Sequence, residues 1–260
     1  MQHIALKRFG QNFLTQPAIA QKIVDTLRIS NEDQIIEIGP GKGILTRLIS
    51  EKKPALFQAI EIDKNLAGKL ADNYTNKLTV IEQDFLQLDL ANLIDPKFKI
   101  KIIGNIPYNI TSPILFKLID HYKEIECAVL MLQKEVAQRI CAKVNTRAYG
   151  ILSVMHQTFS KVEYLFEVKR KNFNPTPKVD SAVIKLIYLP EIKEITNVQL
   201  YRNIVRAVFN YRRKMLRNSL SRIFDQSIVT SLVQFDLTRR PEQLSIQEFK
   251  QLANTIDQMI

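Results

Sequence analysis

Short apolar runs alternate with stretches of helical periodicity between residues 34 and 133, and this alternation constrains the fold more than any other feature of the sequence. Strands are predicted at 34–39, 55–62, 78–84, 99–105 and 127–133, and helices at 18–28, 44–52 and 64–74. Strands that alternate with helices in this way are typical of a parallel sheet with helices on both faces. The chain is therefore predicted to have an α/β fold.

Two further strands are predicted at 161–168 and 180–189, separated by the loop 169–179. This loop is too short for a helical crossover between parallel strands. We therefore expect the last strand to run antiparallel to its neighbours in the sheet.

The pattern becomes helical after Pro190. Five apolar residues at helical spacing predict a stripe that faces a core, formed by Ile204, Val208, Tyr211, Met215 and Leu216. A last helix is expected to begin at Ser245, because Glu248 three residues later completes a capping box. We therefore divide the chain into a sheet-bearing domain at 1–190 and a helical domain at 191–260.

Glycine is scarce, with 7 in 260 residues, and three of the seven lie in EIGPGKG, between a predicted strand and a predicted helix. Gly39, Gly41 and Gly43 have no Cβ atom, so a ligand can approach the backbone and the free N–H groups of the helix N-terminus. Ile44 takes the place of the third glycine of a dinucleotide fingerprint, which disfavours NAD and FAD, and the segment lacks the G-K-[ST] sequence of a Walker A loop. A tight turn without a ligand is the alternative.

Two carboxylates follow at the ends of the next predicted strands. Glu61 ends the second strand and could accept both hydroxyls of a ribose, while Asp84 ends the third and could accept a hydrogen bond from an adenine amino group. Ligands of open α/β sheets bind beyond the carboxyl ends of the strands, so both acids are expected in one crevice. Each acid alone could be a solvated strand end. With the glycine loop, they describe a nucleoside site without obligatory phosphates, which suits S-adenosylmethionine.

The fourth predicted strand ends in the tetrapeptide Asn105-Ile106-Pro107-Tyr108. Methylation of an exocyclic amine requires its lone pair to turn toward the methyl group, and acceptors on the two amine hydrogens favour that geometry. The Asn105 side-chain oxygen and the Ile106 carbonyl are the predicted acceptors. Pro107 helps to aim that carbonyl, and Tyr108 offers a face on which a flipped-out base can stack. The alternative is a simple proline-containing turn.

Further motifs extend the pattern over nearly the whole chain. In order, the sequence contains KRFGQNFL, EIGPGKG, Glu61, Asp84, GNIPYNITSPILF, MLQKEVAQRI, an AYG-x-LSV pattern at 148–154, FNPTPKVDSAV and NYRRKMLRNSL. This series resembles the ribosomal RNA adenine dimethyltransferases, specifically the bacterial housekeeping family that acts on small-subunit rRNA.

The resemblance implies a class I S-adenosylmethionine-dependent methyltransferase fold. Such a fold is Rossmann-like and has a mostly parallel seven-stranded sheet. The resemblance places it in a catalytic domain at 1–190 that binds S-adenosylmethionine. A small all-α domain at 191–260 would follow and bind RNA or the ribosome. The implied activity is N6,N6-dimethylation of two adjacent adenosines near the 3′ end of 16S rRNA in an assembling 30S subunit, with S-adenosylhomocysteine as the product.

By motif match, the resemblance assigns the cofactor site to Gln11, Asn12, Leu14, Gly39, Gly41, Glu61, Asp84 and Asn105. The segment FGQNFL is interpreted as a lid over the cofactor with Gly10 as its hinge. By the same analogy, Phe173 is interpreted as a second stacking wall for the target base, opposite Tyr108. A hydrophobic plug under the loop is the alternative for Phe173.

Two departures from the family pattern are visible. NIPY replaces the usual NLPY, a change that need not affect the substrate because the Ile106 backbone carbonyl, not its side chain, is the predicted acceptor. Thr176 replaces the middle proline of the usual F-x-P-P-P-K loop, which affects the rigidity of the loop more than the chemistry.

The chain carries 37 Lys+Arg against 26 Asp+Glu, and the resulting charge of +11 suggests a polyanionic partner. From 201 to 224 an acid-free run holds Arg202, Arg206, Arg212, Arg213, Lys214, Arg217 and Arg222. A solvated helix face is the ordinary explanation of a charge run, but arginine is suited to bidentate phosphate contacts, so an RNA-binding helix is predicted. Lys7, Arg8, Lys169, Arg170 and Lys171 could extend the RNA-binding surface.

Composition narrows the remaining possibilities. No apolar run approaches the roughly 18 residues of a membrane helix, and the N-terminus lacks the apolar core of a secretory signal. Cys127 and Cys141 have no CxxC spacing and are expected to be thiols in a reducing compartment, and the three histidines share no metal-ligand spacing. We therefore expect a cytoplasmic monomer without a metal or membrane partner.

Three alternatives to the main prediction remain at this point. One is the sister family that dimethylates a single large-subunit adenosine and confers antibiotic resistance. Another is a glutamine or DNA-adenine methyltransferase with a related tetrapeptide, which the flanking motifs and the C-terminal region disfavour. The third is a mainly non-catalytic ribosome assembly factor, which the intact NIPY and acids argue against.

Overall fold

The computed structural model of the chain describes residues 11–260. Its strands are β1 Phe13–Leu14, β2 Asp33–Ile38, β3 Leu56–Glu61, β4 Thr79–Glu82, β5 Lys99–Asn105, β6 Ile125–Gln133, β7 Ser160–Val168, β8 Phe173–Asn174 and β9 Ser181–Tyr188. Its α-helices are α1 Pro17–Thr26, α2 Ile44–Glu51, α3 Lys64–Asn73, α4 Thr111–Asp120, α5 Lys134–Ile140, α6 Ile151–Phe159, α7 Val198–Asn210, α8 Leu216–Leu220, α9 Gln226–Ser231 and α10 Ile246–Asp257.

Seven strands form one sheet in the order β4-β3-β2-β5-β6-β9-β7. The five strands from β4 to β6 pair in parallel, and β9 pairs antiparallel with β6. The predicted α/β class, the mostly parallel seven-stranded sheet and the antiparallel last strand are confirmed.

The central strands are buried because helices cover both faces of the sheet. Every residue of β2 is buried, and five of the seven residues of β5 are buried. On one face, Ile23 of α1 and Ile49 of α2 are fully buried in a core cluster with Ile35 of β2 and Ile103 of β5. Burial of each such side chain contributes about 1.5–3 kcal/mol to the stability of the fold. This packing of helices on the sheet fixes the positions of the strand ends.

The ends of four parallel strands define the edge where the site lies. The Gly39–Gly43 loop follows β2, Glu61 is the last residue of β3, and Asn105 is the last residue of β5.

The third predicted strand was too long at its C-terminal end, because β4 ends at Glu82 and Asp84 lies in the turn that follows.

A two-stranded sheet that the sequence did not predict brings two distant segments together. Leu14 of β1 pairs with Phe173 of β8, and Phe13 pairs with Asn174. The Thr15 N–H also donates to the Asn172 carbonyl over 2.9 Å. Strands of two residues carry no periodicity, so this pairing left no signal in the sequence.

The chain divides into two compact units. Of the described residues, one unit contains 11–137 together with Val162–Pro190, and the other contains Gln138–Lys161 and Glu191–Ile260. Residues 138–161, which the sequence-based division assigned to the first domain, group with the second unit.

The second unit has its own helical core. The Thr158 and Tyr201 hydroxyls lie 2.7 Å apart, and the Phe209 and Phe249 rings lie 5.8 Å apart. The predicted capping box is confirmed at the start of α10, where Ser245 and Glu248 each bond the other's backbone N–H.

The basic segment is not one continuous helix. α7 ends at Asn210, a turn follows, and α8 begins at Leu216. The predicted apolar stripe is correct for Ile204, Val208 and Leu216, which are buried, and wrong for Tyr211 and Met215, which are 38% and 50% exposed. The two exposed residues lie in the turn, where helical spacing no longer applies.

Candidate cofactor and catalytic site

A cavity of about 360 Å³ lies at the carboxyl edge of the parallel strands. It is lined by every cofactor-site and tetrapeptide residue predicted from the sequence: Gln11, Asn12, Leu14, Gly39, Gly41, Glu61, Asp84, Asn105, Ile106, Pro107 and Tyr108. Gly10, Lys7 and Arg8 lie outside the described residues. The structure thus brings five separate chain segments to one cavity.

The glycine loop has a backbone that few other residues could adopt. Gly41 has a φ of +58°, and a Cβ atom at this position would lie 3.0 Å from the Phe13 ring. Phe13 therefore packs directly on the loop, and the Lys42 ammonium lies 4.8 Å from the centre of the same ring. The segment around Phe13 is held against the cofactor loop.

Glu61 is nearly buried and is held by two backbone donors. The Gly41 N–H donates to its Oε2 over 3.0 Å, and the Asp63 N–H donates to its Oε1 over 2.9 Å. Burial raises the pKa of Glu61, and these two hydrogen bonds oppose the shift. A carboxylate oxygen has two lone pairs, so each oxygen can accept a further hydrogen bond from a ligand hydroxyl.

Asp84 lines the cavity together with two apolar residues, Ile62 and Phe85. Its Oδ1 accepts the Leu86 N–H over 2.9 Å. Phe85 is buried, and Ile62, although apolar, is 42% exposed at the cavity wall. Ile62 and Phe85 were not predicted, although each directly follows a predicted strand-end acid, and that position was the available signal. A cavity lined by an acceptor and by apolar side chains suits a flat ring with an amino group.

Glu37 is a functional candidate that the sequence reasoning missed. Its side chain is 1% exposed and lines the cavity, and its Oε2 accepts the Thr46 hydroxyl over 2.8 Å. Burial raises the pKa of Glu37 to about 8, although the hydrogen bond from Thr46 opposes the shift. The available signal was an acidic residue inside an apolar strand, two residues before the glycine loop.

The Asn105 amide is fixed in one orientation. Its Nδ2 donates to the Asn12 carbonyl over 2.8 Å, which leaves Oδ1 as the acceptor that remains for another partner. Gly104 permits the close approach of β5 to β2, because a Cβ atom there would lie 2.7 Å from the Ile38 carbonyl oxygen. The position of Asn105 at the end of β5 thus depends on the close packing of β5 against β2 at Gly104.

The rest of the tetrapeptide is anchored on both sides. The Ile106 N–H donates to the Met131 carbonyl over 2.9 Å, and the Ile106 side chain is buried. The Tyr108 hydroxyl lies 2.8 Å from the Ser181 hydroxyl at the start of β9. Burial raises the pKa of Tyr108, and the hydrogen bond with Ser181 opposes the shift.

Phe173 does not occupy the position predicted for a stacking wall. It is not among the cavity-lining residues, and its side chain is 3% exposed within the hydrophobic core cluster that also contains Leu14. The pairing of β8 with β1 sets Phe173 opposite Leu14, and its buried ring presents no open face to a base. The structure therefore gives Phe173 the position of the alternative, a hydrophobic plug.

The basic residues of the C-terminal unit differ in their surroundings. Arg202 and Arg206 are half-buried on α7. Arg212 donates to the Arg147 carbonyl over 2.8 Å and lies 3.7 Å from Glu242. The Arg222 guanidinium lies over the Tyr211 ring at 4.4 Å. Arg222 is exposed, and so are the remaining three side chains of the predicted set: Arg213, Lys214 and Arg217.

The basic residues near β7 are partly engaged within the protein. Lys169 forms ion pairs with Glu167 and Asp180 at 3.6 and 2.9 Å. The Arg170 guanidinium donates to the Lys178 carbonyl over 3.3 Å.

Comparison with known proteins identifies the family. The family model for ribosomal RNA adenine dimethylase matches residues 3–258, almost the entire chain. The chain belongs to the ribosomal RNA adenine dimethylase family. This dimethylase therefore is a methyltransferase that uses S-adenosylmethionine, and the predicted enzyme class and cofactor are confirmed.

Curated relatives match the dimethylase over most of their length. The "Ribosomal RNA small subunit methyltransferase A" of Chlorobium phaeobacteroides (strain BS1) is 45% identical over 243 residues, which cover 94% of this chain and 90% of the relative. The protein of the same name from Phocaeicola vulgatus is 42% identical over 252 residues, which cover 96% and 89%.

Solved structures agree with the class I methyltransferase fold of the dimethylase. A dimethyladenosine transferase from Plasmodium falciparum superimposes with a TM-score of 0.78 at 31% identity, covering 92% of this chain and 95% of that one. The 23S rRNA methyltransferase ErmE superimposes with a TM-score of 0.70 at 26% identity, covering 95% and 100%.

Among the described residues, no helix is both long and apolar enough to cross a bilayer. Nor do residues 11–260 place three or more His, Cys, Asp or Glu side chains where they could share a metal ion.

Proposed function

We propose that this dimethylase transfers methyl groups to N6 of two adjacent adenosines near the 3′ end of small-subunit rRNA, on an assembling 30S subunit. The observation that carries the proposal is the Asn105 amide, which is held with Oδ1 available in the same cavity as Glu61 and Asp84. The choice of the small subunit is supported by relatives at 40–45% identity that are named for it, against 26% for ErmE.

The lining of the cavity fits S-adenosylmethionine, which supplies an activated methyl group on a sulfonium. Three acidic side chains line the described cavity, Glu37, Glu61 and Asp84, against a single basic side chain, Lys42. Because the pKa of Glu37 is raised to about 8, the negative charge at neutral pH comes from Glu61 and Asp84. A cationic nucleoside suits this balance, whereas a polyphosphate does not. Glu61 would accept ribose hydroxyls, Asp84 would accept the adenine amino group, and the apolar Ile62 and Phe85 would contact the ring.

The remaining predicted cofactor residues would close the site. Leu14 and Asn12 belong to the segment that crosses the cavity, and Gln11 donates to Asp63 over 3.4 Å. Gly39 has a φ of +63°, and a Cβ atom there would meet no atom within 4 Å, so its backbone faces open space. We infer that a ligand approaches the backbone at Gly39 and Gly41.

Catalysis by these residues is positioning and electrostatics. Asn105 Oδ1 and the Ile106 carbonyl would accept the two hydrogens of the adenine amine, so that its lone pair turns toward the methyl group. Pro107 restricts the backbone at this point, and its carbonyl accepts the Thr111 hydroxyl over 3.1 Å. Tyr108, held by Ser181, would stack on the flipped-out base.

We infer that the exposed basic residues contact the RNA backbone. The exposed basic residues of the acid-free run are Arg213, Lys214, Arg217 and Arg222, the last of which lies over the Tyr211 ring. Arg202, Arg206 and Arg212 would contribute positive potential more than direct contacts, because they are half-buried or engaged within the protein. We further propose that the dimethylase acts in the cytoplasm, in keeping with its two free thiols, Cys127 and Cys141, and that it acts as a monomer.

The test of the catalytic assignment is Asn105→Ala. Loss of the acceptor should lower kcat by about 10²-fold or more, because the positioned acceptor acts on the transition state. Affinity for S-adenosylhomocysteine, measured by calorimetry, should fall much less than kcat does. Full methyl transfer by the variant would contradict the assignment. Ser112→Ala is a suitable control, since Ser112 is exposed on the neighbouring helix α4.

The large-subunit alternative predicts a different product of the same assay. A single dimethylated adenosine in large-subunit rRNA would support it. A mainly non-catalytic assembly factor would bind small subunits without measurable turnover by the wild type.

A further inference from the structure

Lys117 on α4 reaches the loop that follows Asp84. Its Nζ donates to the Phe85 carbonyl over 2.8 Å, to the Leu86 carbonyl over 3.1 Å and also to the Leu88 carbonyl. The ammonium also lies 5.3 Å from the centre of the Phe85 ring. One side chain therefore binds three carbonyls of the loop that forms a wall of the cofactor cavity.

A single peptide unit connects Lys117 to the Asp84 carboxylate. The peptide between Phe85 and Leu86 has its carbonyl on Lys117 at 2.8 Å and its N–H on Asp84 Oδ1 at 2.9 Å. Because the peptide is planar, fixing its carbonyl also fixes the direction of its N–H. A cation on the carbonyl polarises the peptide and strengthens the hydrogen bond that its N–H donates.

From this geometry we propose that Lys117 is a positioning residue for the cofactor's purine. It orients the Phe85–Leu86 peptide, whose N–H holds Asp84 Oδ1, so that Oδ2 is presented to the purine 6-amino group. Lys117 also pulls the Phe85 backbone toward α4, which sets the position of the ring against the cavity. This inference rests on the proposed role of Asp84 and adds a residue that does not itself touch the ligand.

The surroundings of Lys117 explain why its ammonium stays on the loop. The side chain is half-buried, and burial lowers the pKa of Lys117 while Asp89, Asp84 and Asp120 oppose the shift. The three carbonyls replace water around the ammonium. A side chain without a charged donor would leave those carbonyls without this partner, and the loop could then relax.

The test compares two ligands by calorimetry, S-adenosylhomocysteine and its analogue with hydrogen in place of the 6-amino group. The wild type should bind the amino ligand about tenfold or more tightly than the analogue, as expected for a hydrogen bond to a charged group. Lys117→Met should lose at least threefold of this preference. Lys97→Met, which removes an exposed lysine, should keep it.

A general structural effect would weaken both ligands equally and leave the preference unchanged, and that result would overturn the proposal. If Lys117→Met does not fold, Lys117→Gln is judged by the same criterion. In an Asp84→Asn background, Lys117→Met should change the preference less than twofold, and an undiminished effect there would also overturn the proposal. Failure of the proposed function can be distinguished from failure of this inference. It would appear as the absence of dimethyladenosine in rRNA, whatever preference the protein shows between the two ligands.

Discussion

At the scale of single residues, the site depends on polar groups that are held before any ligand arrives. The Asn105 amide is oriented by the Asn12 carbonyl, and the Glu61 carboxylate is held by two backbone N–H groups. Neither contact follows from the sequence, which predicted both residues from their positions at strand ends. Strand-end positions are recognisable from apolar runs, whereas the orientation of an amide depends on a partner 93 positions away.

Glu37 carries the clearest consequence for pH. Its pKa is raised to about 8 in the folded state, against 4.5 for an ordinary glutamate. Between these values the folded state keeps a proton that the unfolded state has lost. The free energy of unfolding should therefore fall as pH rises from 4.5 to 8, with a contribution from Glu37 of up to about 1.4 kcal/mol per pH unit.

Glu37→Gln should remove this contribution and be more stable than the wild type at pH 8, with a smaller difference near pH 5. Chemical denaturation at several pH values measures it. Glu51→Gln, at an exposed position of α2, is the control and should leave the slope unchanged. A wild type and Glu37→Gln with parallel pH profiles would show that Glu37 titrates normally.

At the scale of elements, apolar runs predicted the sheet and its antiparallel last strand, while features without periodicity escaped prediction. The pairing of β1 with β8 involves two residues on each side, and it accounts for the burial of Phe173 where a stacking wall was expected. The acid-free run looked like one helix because charge says nothing about where a helix ends. Its turn at 211–215 depends on tertiary packing.

The junction of β2 and β5 gives a prediction about stability. Gly104→Ala would place a Cβ atom 2.7 Å from the Ile38 carbonyl oxygen, a backbone atom that cannot move alone. The variant should lose about 1–3 kcal/mol of stability by thermal or chemical denaturation, because overpacking must separate two central strands.

Gly68→Ala is the matched control within α3. A Cβ atom at Gly68 would meet no atom within 4 Å, so alanine should leave stability unchanged or raise it by up to about 1 kcal/mol through helix propensity. Equal stabilities for the two variants would contradict the close strand approach at Gly104.

At the scale of the whole molecule, we expect the effect of the net charge of +11 on RNA binding to depend on where the exposed basic side chains lie. Replacement of Arg213, Lys214 and Arg217 by glutamine should weaken binding to small-subunit rRNA. If these residues contact phosphates, the slope of log affinity against log salt should decrease in magnitude by about 0.7–0.9 for each lost contact. Filter binding across a salt series measures both effects.

A control for this charge effect removes three exposed lysines elsewhere: Lys52, Lys53 and Lys77. This control variant should change the RNA affinity and the salt slope much less. It lowers the net charge by the same amount but leaves the predicted phosphate contacts in place. Equal losses in both triple variants would show that the predicted RNA-binding surface has no special role.

The most direct test of the central claim is to map N6,N6-dimethyladenosine on ribosomal RNA after the wild type has acted on undermethylated small and large subunits with labelled S-adenosylmethionine. The proposed function predicts two adjacent dimethylated adenosines near the 3′ end of small-subunit rRNA and none in large-subunit rRNA. Dimethyladenosine only in large-subunit rRNA, or in neither RNA, would contradict it.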